Sequence, residues 1–75
     1  MILSLFNNIK QIAETKLNDL NIENDENLNI CLSGKCSEED KELLLCELDK
    51  NLPIGIFFHH EFKNGKLKII FEEVQ

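Results

Sequence analysis

The dipeptide Asn64-Gly65 limits the possible folds of this chain more than any other feature. It lies between two apolar, β-rich runs, Ile54-Gly55-Ile56-Phe57-Phe58-His59-His60-Glu61-Phe62 and Leu67-Lys68-Ile69-Ile70-Phe71-Glu72-Glu73-Val74. Asn-Gly in that setting predicts a two-residue hairpin loop, because both central residues of a type I′ turn need positive φ. With Lys63 opposite Lys66, the pairs run outward as Phe62–Leu67, His60–Ile69, Phe58–Phe71 and Ile56–Glu73. Strand alternation puts these pairs on one apolar face. The reverse face carries Gly55, Phe57, His59, Glu61, Lys68, Ile70, Glu72 and Val74, with Glu61 opposite Lys68. A hairpin alone is marginal in water, so the rest of the chain must cover its apolar face.

Two amphipathic helices are predicted to do so. From about Ile2 to Leu20, the residues Ile2, Leu5, Phe6, Ile9, Ile12, Ala13, Leu17 and Leu20 fall on one broad helical face. Ser4, Asn7, Asn8, Gln11, Thr15 and Asn18 fall opposite. Lys10 and Lys16 are offset by Glu14 and Asp19, which disfavours a membrane-surface helix. The second helix should run from about Glu38 to Asn51, with Ser37 as N-cap and three acids in its first turn. Asn51 and Pro53 mark its end. Leu44, Leu45, Leu48 and Leu52 form its core stripe, with the stem of Lys41. Leu43 and Cys46 lie off that stripe, either against the first helix or as an exposed contact.

Between the helices, Asn21 to Asn27 reads as a polar loop. Leu28-Asn29-Ile30-Cys31-Leu32 alternates as a short strand that Ser33-Gly34 should break. Asp19-x-Asn21-x-Glu23-x-Asp25 alternates like a calcium loop but has Asn24 where the glycine belongs and Ile30 where the bidentate glutamate belongs. A solvated loop is the better account. The expected fold is thus a single domain over residues 1–75 of α/β (α+β) class, with element order α-β-α-β-β. It is a two-layer sandwich with both helices on one face of a three-stranded mixed sheet, whose β-α-β crossover is right-handed. The other sheet face stays open.

Composition narrows the function. A net charge of −6, with all eight basic residues lysine, disfavours direct nucleic-acid binding, which needs clustered cations and commonly arginine. No segment approaches membrane-spanning length and no signal-peptide pattern opens the chain. Three cysteines without such a signal fit a reducing, cytoplasmic setting. Cys31, Cys36, Cys46, His59 and His60 are the soft ligands, but they lack a Cys-x2-Cys knuckle, and no metal or other cofactor is expected. Cys36, just before a helix N-terminus, is the best-placed thiol, since the helix dipole would lower its pKa. No orienting residue or oxyanion loop accompanies it, so an enzyme is not expected. Ser33-Gly34-Lys35 resembles only the tail of a phosphate loop.

The open face remains as the best functional pointer. Cys31, Phe57, His59, Glu61, Lys68, Ile70 and Glu72 are its candidate partner-binding residues. The expectation is a non-enzymatic, small acidic interaction module: a regulator, adaptor or inhibitor docking another protein through this face or a strand edge. A basic protein would suit the net charge, and a second copy is the other candidate, as a homodimer. The alternative is a small zinc-binding or thiol-dependent protein using the Cys and His residues.

Overall fold

The computed structural model describes residues 3–24 and 29–74, and contains six elements: α1 (Leu3–Glu14), β1 (Asn18–Asn24), β2 (Ile30–Lys35), α2 (Glu38–Asn51), β3 (Ile56–Lys63) and β4 (Lys66–Glu73). The strands form one four-stranded sheet in the order β1-β2-β4-β3, and every neighbouring pair is antiparallel. The class is α+β, but the expected three-stranded mixed sheet and α-β-α-β-β order are wrong. The order is α-β-β-α-β-β. Because β2 and β3 are both antiparallel to β4, they run in the same direction, as a β-α-β crossover requires. β4 inserts between them, so no parallel ladder forms.

The hairpin follows its predicted register throughout. Lys63 opposes Lys66, Phe58 opposes Phe71 and Ile56 opposes Glu73. Asn64 and Gly65 have φ of 53° and 78°, the left-handed values that the turn type demands. α2 also keeps its predicted bounds. The Ser37 hydroxyl accepts from the Asp40 backbone N–H at 3.1 Å, and the Leu52 N–H closes the last turn on the Leu48 carbonyl. Leu44 and Leu48 are buried, while Leu45, Leu52 and Lys41 are half-buried. The Lys41 ammonium lies 5.1 Å from the centre of the Phe62 ring, a cation–π contact at the edge of the core. Leu43 and Cys46 are exposed, not packed against α1.

The N-terminal half departs most from expectation. α1 stops at Glu14, not near Leu20. The Leu17 N–H still reaches the Ala13 carbonyl at 2.9 Å, and then Asp19 turns left-handed with φ 54°. Asn18, Asp19 and Asn21 are poor helix formers, and Asn and Asp tolerate left-handed backbone. The residues expected to form a loop or calcium-like alternation pair instead with β2: Asn21 with Ser33, Ile22 with Leu32 and Glu23 with Cys31. Leu20 and Ile22 face the core half-buried, while Asn21 and Glu23 are exposed. Ile2, Asp25 and Leu28 of the expected patterns lie outside the described residues.

Ser33-Gly34 does not break β2, which runs on to Lys35. Gly34 is a packing glycine, not a turn glycine. A Cβ there would lie 2.8 Å from the Leu17 Cβ and 3.1 Å from the Asn18 carbonyl oxygen. Its bare backbone lets the chain leaving α1 cross directly over the sheet.

Both helices share one core with the inner sheet face. Leu5, Ile9 and Ala13 of α1 and Leu44 and Leu48 of α2 meet Ile30, Leu32, Leu67, Ile69 and Phe71, with Leu17 closing one corner. These strand residues are at most 2% exposed, so burial of apolar area is concentrated on the central strands. No polar side chain is buried in that core among the described residues. Nor does any helix there have the length and apolarity to cross a membrane.

Candidate functional site

The open face is built from cross-strand rows, since directly opposed residues share a face. Starting from the hairpin turn, the first row is Lys35–Lys66–Lys63 across β2, β4 and β3. The second is Ser33–Lys68–Glu61, continued by Asn21 on β1, and the third is Cys31–Ile70–His59, continued by Glu23. Phe57 and Glu72 pair in the fourth. The seven candidate residues therefore do share one contiguous surface, on the reverse of the helical layer.

That surface has two chemically distinct ends. Away from the turn, Phe57 is 55% exposed, Val74 60% exposed, and Cys31 and Ile70 half-buried beside them. His59 Nε2 stands 3.4 Å from Glu72 Oε2 on the adjacent strand, an exposed pair that adds little to stability. Ile54, at the tip of the turn between α2 and β3, is fully exposed. That turn is closed by the Ile56 N–H on the Pro53 carbonyl, with Gly55 at φ 96°, and Gly55 in turn accepts from the Val74 N–H at 2.8 Å. It therefore holds the apolar end of β3 against the end of β4.

The turn end of the face is basic. Lys35, Lys63, Lys66 and Lys68 surround an open hollow of about 440 Å³ together with Glu61 and Asn64. Asp19 Oδ2 lies 3.7 Å from the Lys35 ammonium, with both groups largely exposed. Lys63, Lys66 and Lys68 have no ion-pair partner among the described residues. No sequence pattern announces this cluster. The Lys63–Lys66 pairing was readable from the hairpin register, but Lys35 joins the row only because β2 continues through Gly34. The acids collect elsewhere: α2 alone carries Glu38, Glu39, Asp40, Glu42, Glu47 and Asp49 against Lys41 and Lys50.

The thiols and histidines are dispersed. Cys31 is on the open face, Cys46 is exposed on α2, and all three cysteines are free. His60 opposes Ile69 on the inner face but is exposed at the sheet edge, away from His59. Among the described residues, no three His, Cys, Asp or Glu side chains are grouped to hold a metal. Cys36 does not have the lowered pKa expected of a helix N-terminal thiol. Burial pushes it up, the adjacent Asp40 carboxylate adds to that, and Lys41 opposes only in part. Its backbone N–H donates to the Gly65 carbonyl at 3.0 Å, so the residue ties the start of α2 to the hairpin turn.

No protein-family model, curated protein or solved structure matches the chain.

Proposed function

We propose that this chain is a non-enzymatic binding module that docks another protein on the open sheet face, centred on Phe57, Ile70 and Cys31 and flanked by His59, Glu61, Lys68 and Glu72. The observation that carries the reading is the exposed aromatic ring of Phe57, on the sheet face opposite the one that packs against the helices. Large aromatic side chains left in water beside half-buried aliphatic ones, and ringed by charges, have the make-up of a protein-binding patch. The free edge of β3 lies alongside and offers unpaired backbone groups to the same partner.

The test compares the wild type with Phe57→Asp by sedimentation equilibrium and by affinity capture. A self-association or a captured partner that the substitution abolishes supports the reading. A monomer in both forms, with the same proteins retained on both columns, would end it.

A further inference from the structure

We infer that the docking partner is an acidic amphipathic helix lying across the strands, with its carboxylates over the lysine row Lys35–Lys66–Lys63. The inference rests on the docking reading above and names the chemistry of the partner.

Like charges directly opposed on neighbouring strands destabilise a sheet. Here three lysines stand in one row over three strands, with Lys68 behind them on the same face. Half of the chain's eight lysines are thus gathered in one place, in a protein of net charge −6. Solubility does not call for such a row, since the acids elsewhere already supply net charge. Glu61 and Asp19 neutralise it only in part, at its edges. An anionic occupant would offset the repulsion.

Spacing selects the kind of anion. Neighbouring strands lie about 4.8 Å apart, so the row spans roughly 9–10 Å. Carboxylates at i, i+4 and i+7 of a helix rise by about 10.5 Å over the same three positions. Alternate residues of an extended strand would cover about 13 Å, which overshoots the row. Phosphate is the less suitable anion, because Glu61 lines the hollow and no arginine is present to grip it bidentately. Ile70 and Phe57 lie four and six residues along the strands from that row, about 13 and 20 Å. That is beyond the roughly 10–12 Å width of one helix, so the helix takes the basic end of the face and an adjoining part of the same partner meets the apolar end. Charge and apolar contacts then fall to adjoining parts of one partner.

The probe is a labelled amphipathic peptide of about 20 residues, long enough to be helical in water. It carries glutamates along one stripe and leucines beside them. Its twin has glutamine at every glutamate position. The intact protein should bind the glutamate peptide in a fluorescence-anisotropy titration, and bind the glutamine twin at least about tenfold more weakly. Affinity for the glutamate peptide should fall as salt is raised. Lys66→Glu should weaken that peptide by about tenfold or more, since it sets like charges together across the contact. The same substitution places a carboxylate between Lys35 and Lys63, so it should raise the melting temperature by a few degrees. Stability gained while binding is lost rules out misfolding as the cause.

No binding of the glutamate peptide would overturn the inference. So would equal affinity for the two peptides, or stronger competition by tripolyphosphate or a short oligonucleotide than by free glutamate peptide. If the acidic peptide fails while Phe57→Asp still abolishes self-association or capture, the docking face stands and only its acidic partner is lost. If Phe57→Asp leaves self-association and capture unchanged, the docking reading itself fails.

Discussion

The two central strands and the two edge strands of this sheet have different physical roles. On β2 and β4 the inward residues are sealed between the helices and the sheet, and Ile30, Leu32, Leu67, Ile69 and Phe71 are at most 2% exposed. On the edges, Leu20 and Ile22 of β1 and Ile56, Phe58 and Phe62 of β3 are half-buried, and His60 is exposed. A central strand has a neighbour on each side, whereas an edge residue has cover on one side only. Stability is therefore concentrated at the centre, while β3 can present Phe57 and His59 outward at little cost to the fold.

The largest test of that contrast is Phe71→Ala. It should cost about 3–5 kcal/mol, a large share of the stability of a chain this small, and be read by urea denaturation. Phe58 sits directly opposite on the edge, its ring 6.0 Å away. Phe58→Ala should cost clearly less, about 1–2 kcal/mol, because it starts half-buried. Equal losses at the two sites would break the comparison.

Gly34→Ala probes the centre from the other direction. The added methyl meets a backbone oxygen and the Leu17 Cβ, neither of which can swing away, so about 1–3 kcal/mol should be lost. A neutral result would mean that the crossing of the segment after α1 over β2 is looser than its geometry implies.

Phe57→Asp sets a carboxylate opposite Glu72 and removes a good strand former, so it should cost no more than about 1 kcal/mol. A larger loss would show that the edge contributes to the core after all.

The smallest effect concerns a thiol. Cys36 lies at the end of central β2, and its thiolate should form only above the ordinary thiol range, since burial and Asp40 both disfavour the charge. Alkylation followed against pH should therefore reach Cys36 at more alkaline pH and lag behind the exposed Cys46. Faster labelling of Cys36 near neutrality would revive a thiol-dependent role.

The legible parts of the fold were those governed by local signals. Asn64-Gly65 imposed a turn that only positive φ satisfies, and the whole β3–β4 register followed from it. Ser37, the three acids after it and Pro53 bracketed α2. β1 was illegible for a physical reason: Leu17 and Leu20 sit at helical spacing, while Leu20 and Ile22 sit at strand spacing. The choice between them is made at Asp19, whose left-handed backbone no periodicity reveals. Gly34 misled in a similar way, because glycine marks a break and a close approach equally well. The seven outward residues were placed on one face by alternation alone. The lysine row was hidden, since it needs β2 to extend to Lys35 and to pair with β4.

The sequence by itself determined the hairpin, its inner and outer faces, and the extent of α2, because these follow from dihedral preference and side-chain period within a few residues. The tertiary structure decided that β4 lies between β2 and β3, that residues 18–24 add a fourth strand, and where the charges gather. Those outcomes depend on contacts between segments far apart in the chain. A net charge of −6 is a property of the sum, whereas a basic row on an acidic protein exists only once three strands have been laid side by side.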